Sequence, residues 1–141
     1  MRAVRIAAAT LVSLAALTAL ARADGVPNIV GTWKGTAYAV QVGPTPYRQS
    51  DTLAPKFPDA GMEFTYEITE QHDNRFAGTM RGGKFAETII GAISPDNVSG
   101  VMLDDDGDYT FTFADANTLN LCYRHSYPLS RVVACWQAKR S

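Results

Sequence analysis

Two histidines are the first residues to consider for catalysis, because the chain of 141 residues contains no others. His72 precedes Asp73 and His125 precedes Ser126, but adjacent residues of a strand point to opposite faces. A nucleophile, a base and an orienting acid must converge from separate elements, and no such set is suggested. The chain also lacks a phosphate-binding loop and an HExxH motif. We therefore expect both histidines in loops or at the surface, and a protein that is not an enzyme.

The densest acidic cluster comprises Asp104, Asp105, Asp106 and Asp108. An EF-hand calcium loop needs acids at its first, third and fifth positions, glycine at its sixth and glutamate at its twelfth. Counted from Asp104, the glycine is fourth and the twelfth residue is Asp115. Asp-Gly is a strong turn pair, and extra acids keep an exposed sheet edge soluble. The sequence thus predicts a hairpin turn, with no metal and no cofactor.

A secretory signal peptide is predicted over residues 1–23. Arg2 and Arg5 form a positive start, an apolar run follows over residues 6–20, and Ala21-Arg22-Ala23 is a small-x-small cleavage site. The alternative is an uncleaved N-terminal anchor. Cleavage would remove three arginines and no acids, leaving 118 residues and changing the net charge from -1 to -4. We expect a protein exported to the periplasm or secreted, with no membrane span after cleavage and no nucleic-acid partner.

Cys122 and Cys135 are the two cysteines of the chain, and both lie after the cleavage site. An even number of cysteines in an oxidising compartment favours a disulfide, with free buried thiols as the alternative.

Alternation of apolar and polar residues with a period of two dominates the chain after Val30. In the segment 62–69, Met, Phe, Tyr and Ile face one side, while Glu and Thr face the other. Turn residues then divide the chain at regular intervals. We predict eight strands, near 29–42, 62–71, 75–81, 84–93, 98–103, 109–113, 118–125 and 131–139.

Eight antiparallel strands in sequential order favour one all-β domain over residues 24–141, an up-and-down β-barrel. The alternative is a sandwich with crossed connections. The last hairpin is a check on the predicted antiparallel strands, because pairing Cys122 with Cys135 places Leu121 opposite Trp136. The same register puts the apolar side chains of both strands on one face and closes the hairpin with a four-residue turn, 127–130.

The two ends of the chain resemble the calycin group, which comprises lipocalins, avidins and fatty-acid-binding proteins. The resemblance rests on Gly31-Thr32-Trp33 in the first strand and Lys139-Arg140 at the end of the last. In that group a tryptophan plugs the closed base of the barrel, and a basic residue packs over its ring. The resemblance therefore implies that Trp33 forms the barrel base with Lys139 or Arg140.

A long connection over residues 43–61 is a second point of resemblance, because the large loop of lipocalins follows the first strand and folds over the open mouth. It contains four prolines together with Tyr47, Leu53 and Phe57. These apolar side chains favour a packed lid over a free linker.

A ligand pocket is predicted in the mouth of the barrel, with a filled core as the alternative. We expect it to be small and apolar with an acidic rim, and to be formed by Tyr38, Phe57, Phe64, Met80, Met102 and Tyr123. The predicted function is a lipocalin-like binding protein for a small, partly hydrophobic molecule. The alternatives are an exported inhibitor of a lysozyme or protease, or a structural protein of the cell envelope, acting through a surface loop on an envelope or secreted protein.

Overall fold

A computed structural model describes residues 25–45, 47–50 and 52–141. The predicted signal peptide lies outside these residues. In the part of the chain that is described, no helix is long and apolar enough to cross a membrane.

The described residues form an all-β structure, a closed antiparallel barrel of eight strands with one additional short strand. In spatial order the strands run β1-β3-β4-β5-β6-β7-β8-β9-β2, and pairing of β1 with β9 closes the barrel. The strands are β1 Gly31–Ala37, β2 Ala39–Val42, β3 Met62–His72, β4 Arg75–Gly82, β5 Phe85–Ile93, β6 Ser99–Leu103, β7 Asp108–Asp115, β8 Thr118–Tyr127 and β9 Ser130–Arg140. The predicted barrel is thus confirmed, and its sequential hairpins agree with a lipocalin-like arrangement.

The first predicted strand is interrupted at Tyr38. Its first part, β1, pairs with β3 along its whole length, from Gly31 opposite Ile68 to Ala37 opposite Met62. Its second part, β2, pairs with β9 instead. The last residues of β9 also pair with Trp33 and Lys34 of β1, so β1 and β2 together border β9 and close the barrel.

The last hairpin has the predicted register. Cys122 lies opposite Cys135 and the two form a disulfide, while Leu121 lies opposite Trp136. Both cysteines are exposed on the outer face, and Leu121 is buried on the inner face. Such a bridge is typical of proteins that fold in an oxidising compartment.

Trp33 closes one end of the barrel, which we call the base. Its ring is fully buried, and its Nε1 donates a hydrogen bond of 2.9 Å to the carbonyl oxygen of Ile29. The Arg140 guanidinium lies over this ring at 4.1 Å from the centroid and donates to the carbonyl oxygens of Asn28 and Val30. The predicted contact is therefore made by Arg140, whereas Lys139 is exposed.

Candidate functional site: the mouth of the barrel

A cavity of about 70 Å³ lies at the opposite end, which we call the mouth. Its walls come from the strand ends nearest the long loop, and most are apolar or aromatic. The lining side chains include Ala134, Phe64, Met80, Tyr109, Tyr123 and Trp136. This volume is well below the roughly 300–1,000 Å³ of a typical drug-sized pocket. The cavity therefore suits a small molecule, or one part of a molecule that extends into the mouth.

The start of the long loop covers this cavity. Thr45 is buried and exchanges backbone hydrogen bonds of 2.8 and 3.2 Å with Arg48, which forms a tight turn. Between them, Tyr47 places its ring edge-on to Phe64 and Phe85, with centroids 5.7 and 5.1 Å away. This part of the loop is thus packed against the barrel.

The acidic turn connects β6 to β7, as predicted. Its acidic side chains do more than keep this edge of the sheet soluble. Oδ1 of Asp104 accepts hydrogen bonds from the backbone amides of Asp106 and Gly107, at 3.2 and 2.7 Å. Asp104 and Asp106 line the cavity, whereas Asp105 is exposed. A Cβ at Gly107 would lie 2.3 Å from the ring of Tyr123, so a larger residue there would displace this ring.

Three carboxylates meet at the mouth, and each accepts a hydrogen bond from one tyrosine hydroxyl. The pairs are Tyr47 with Glu87 at 2.5 Å, Tyr109 with Asp104 at 2.8 Å and Tyr123 with Asp106 at 2.8 Å. We call these six residues the tyrosine–carboxylate cluster. One oxygen from each carboxylate lies within 4.8 Å of the other two. Convergent carboxylate oxygens of this kind are able to hold a cation.

Burial shifts the pKa of two of the carboxyl groups, Glu87 and Asp104, and of the three tyrosines. Desolvation raises the pKa of Glu87 and of Asp104, and the neighbouring carboxylates raise the pKa further. The hydrogen bonds from Tyr47 and Tyr109 oppose this effect without cancelling it. Burial also raises the pKa of all three tyrosines of the cluster, so their hydroxyls stay protonated donors at physiological pH.

Three buried side-chain polar atoms of the described residues have no hydrogen-bond partner, and all three belong to this region. They are Oη of Tyr66, Oε2 of Glu87 and Nε1 of Trp136. Tyr66 is 2% exposed, and its ring lies edge-on to that of Tyr109 in the cluster, with centroids 6.0 Å apart. Burial raises the pKa of Tyr66, and the charges of Asp104 and Glu87 raise it further. The hydroxyls of Tyr66 and Tyr109 also perturb each other's pKa, but no hydrogen bond of acceptable geometry joins them.

His125 is buried and lines the cavity, which corrects the expectation that it lies in a loop or at the surface. Its Nδ1 is 3.4 Å from Oδ2 of Asp106, and its Nε2 is 2.9 Å from Oγ of Ser130. Ser130 donates its hydroxyl proton to the carbonyl oxygen of Pro44 at 2.6 Å, because a carbonyl only accepts. Nε2 must then donate to Ser130, so this histidine does not take the serine proton as the base of a triad does.

The predicted ligand-binding residues divide into three groups. Phe64, Met80 and Tyr123 line the cavity. Met102 is buried in the core away from the cavity lining. Tyr38 and Phe57 are 63% and 76% exposed, so their expected place in the pocket is wrong.

The period of the strand explains why Tyr38 lies outside the predicted pocket. Trp33 and Ala37 are buried on the inner face and Gln41 continues it, so odd-numbered residues point inward and Tyr38 points outward. The ring of Tyr38 instead lies over Gly61, where a Cβ would come within 2.8 Å of it.

Sequence reasoning missed Glu87 and Tyr109. Phe85, Glu87 and Ile89 alternate with exposed residues in β5, so the strand period already places Glu87 among the inward positions. The sequence signal for Glu87 was an acidic residue at an inward-facing position of the strand, where apolar residues are expected. The same period in β8 continues inward from Tyr123 to His125.

No protein-family model matches the chain, and no curated protein matches its sequence. Among solved structures, the chain is similar to the S-type phycobiliprotein lyase CPES from Guillardia theta. That similarity has a TM-score of 0.38 and 9% sequence identity, and it covers 80% of this chain and 88% of the lyase. A similarity this low carries no inference about ligand or activity.

Proposed function

We propose that the chain is an exported, non-enzymatic binding protein that holds a small, partly hydrophobic ligand in the mouth of its barrel. The observation that carries this proposal is the cavity itself, which combines an apolar and aromatic lining with a few convergent polar groups. That combination is the usual composition of a small-molecule site. The N-terminal signal pattern and the disulfide support export.

The hydrogen-bond direction at Ser130 favours binding over catalysis. Asp106, His125 and Ser130 stand in the order of a catalytic triad, but the serine proton is directed to Pro44. The chain Asp106–His125–Ser130–Pro44 instead connects the acidic turn to the start of the lid. We assign it the role of holding the lid over the cavity.

Filling the cavity tests this proposal. Ala134 lines the cavity and is 6% exposed, so Ala134→Leu occupies space that a ligand needs. Val133→Leu, on the outer face of the same strand, is the matched control, since Val133 is 53% exposed. The probes are benzylamine, benzyl alcohol and benzoate at millimolar concentration, and the readout is the shift in melting temperature.

We expect at least one probe to raise the melting temperature of the wild type and of V133L, but not of A134L. Ala39→Leu, at a second lining position, repeats the test if A134L fails to fold. No shift with any of the three probes overturns the proposal, as does an equal shift in a folded cavity-filling variant.

Exposed apolar side chains favour a second candidate function, inhibition of a lysozyme or protease through the loop. Leu53 and Phe57 in the long loop and Leu129 in the β8–β9 turn are 57%, 76% and 65% exposed. Large apolar side chains exposed on loops are available for contact with a partner protein. Inhibition of an enzyme panel that Phe57→Ala abolishes would support this function, and a panel without inhibition would eliminate it.

A further inference from the structure

We propose that the ligand is an organic ammonium ion, namely a primary amine with an aromatic or apolar body, and that the cluster carboxylates hold its charged nitrogen. This inference rests on the proposed binding function and adds the chemical class of the ligand.

The first argument is unbalanced charge. Glu87, Asp104 and Asp106 bring three carboxylates together, and among the described residues neither Glu87 nor Asp104 forms an ion pair with a lysine or arginine. Arg48 lines the cavity, but its Nη2 donates to the carbonyl oxygen of Ala60. Among the three carboxylates, His125 is paired only with Asp106. A cation in the cavity would relieve this excess of negative charge where little water screens it.

The second argument is the aromatic wall beside the carboxylates. The rings of Tyr109 and Tyr123 are 4.7 Å apart, and Trp136 lies 6.2 Å from Tyr109 and 5.9 Å from Phe64. Aromatic faces attract ammonium ions through the ring quadrupole, and the effect grows when the ion leaves water. A neutral or anionic ligand packs against the same rings without this cation–π attraction.

The third argument is a pair of unpartnered buried oxygens. Oε2 of Glu87 is an acceptor without a donor, and the hydroxyl of Tyr66, a side chain that is almost completely buried, is unpartnered beside the cluster. An ammonium group carries three donors and no acceptor. Such a group supplies only donors, which is what an unpartnered carboxylate oxygen requires.

A divalent metal fits the same oxygens less well. Calcium takes six to eight oxygen ligands, commonly with backbone carbonyls among them. Here three carboxylate oxygens converge, each carboxylate already accepts a tyrosine hydroxyl, and the remaining wall is mostly apolar. Calcium binding is nevertheless a defined outcome of the test.

Benzylamine and benzyl alcohol form a matched pair, since they share the ring and differ in the charged group. We expect calorimetry at neutral pH to give benzylamine an affinity on the order of ten- to a hundredfold higher, the usual range for a hydrogen bond to a charged group. Glu87→Gln and Asp106→Asn should each remove most of this preference, because loss of the charge weakens benzylamine binding more than benzyl alcohol binding. Asp105→Asn is the control for charge, because Asp105 belongs to the same turn but is exposed.

Each other outcome has a separate meaning. Equal or tighter binding of benzyl alcohol overturns the ammonium inference and leaves the binding function standing. Binding of neither probe overturns both. If calcium binds with the same dependence on Glu87 and Asp106 and benzylamine does not, the site is a metal site and the inference is wrong.

Discussion

The base and the mouth of the barrel contain similar types of residue, but the polar groups of these residues are paired differently. At the base, Trp33 and Arg140 satisfy one another and the surrounding carbonyl oxygens. At the mouth, Trp136 has an unpartnered Nε1, and Glu87 has an unpartnered oxygen and a pKa raised by burial. The polar groups of the base are thus paired, whereas the mouth contains unpartnered polar atoms and a carboxyl group whose pKa is raised by burial.

Replacing each of the two tryptophans should give the largest difference in stability between the base and the mouth. Trp33→Ala should lower the free energy of unfolding by about 3–5 kcal/mol, because it removes a fully buried ring. Trp136→Ala should cost clearly less, since its ring is only partly buried and borders a cavity. Urea denaturation of both variants measures the difference, and equal losses would contradict the contrast between the two ends.

Replacing Arg140 at the base should cause a smaller loss of stability. Arg140→Ala removes the contact with Trp33 and two hydrogen bonds to carbonyl oxygens, for a loss of about 1–3 kcal/mol. Lys139→Ala is the control, because Lys139 is exposed, and we expect almost no change. Similar losses in both variants would mean that Arg140 does not hold the base.

Glu87→Gln should have the smallest effect on stability. Unlike the variants above, it should leave the protein equally stable or slightly more stable. The folded state raises the pKa of Glu87, so its contribution to stability is fully present below the unfolded pKa and is lost as the pH rises through the folded value. At neutral pH, E87Q should therefore melt at the same temperature as the wild type or slightly above it, and this advantage should disappear on acidification. Thermal melts over this pH range measure it.

Glu63→Gln, on an exposed residue of β3, controls for the loss of one negative charge. A clear loss of stability in E87Q at neutral pH would show that the Glu87 carboxylate is already well compensated. The contrast between mouth and base would then be wrong.

The strand period and the cysteine pair were sufficient to predict the barrel, because each fixes register independently. The pairing of Cys122 with Cys135 and the buried face of the last hairpin agree residue by residue. Period alone did not show that one strand breaks at Tyr38 to serve two neighbours, since closure depends on contacts far apart in sequence.

The site was less predictable for a physical reason. Phe64, Met80 and Tyr123 follow from alternation, but Tyr47 reaches the cavity from a loop whose path no period determines. Glu87 was not among the predicted pocket residues, although the period of β5 places it inward. The raised pKa of Glu87 and of Asp104 arises from burial that appears only when four strands and a turn come together.

The two indole N–H groups offer the most direct measurement of the central claim, that the mouth binds a small ligand while the base is structural. The chain has two tryptophans, with Trp136 at the cavity and Trp33 at the base. We predict that titration with benzylamine, followed by proton–nitrogen NMR correlation spectra, moves the Trp136 indole signal to saturation and leaves the Trp33 signal in place. An unmoved Trp136 signal, or equal shifts of both signals, would contradict the account.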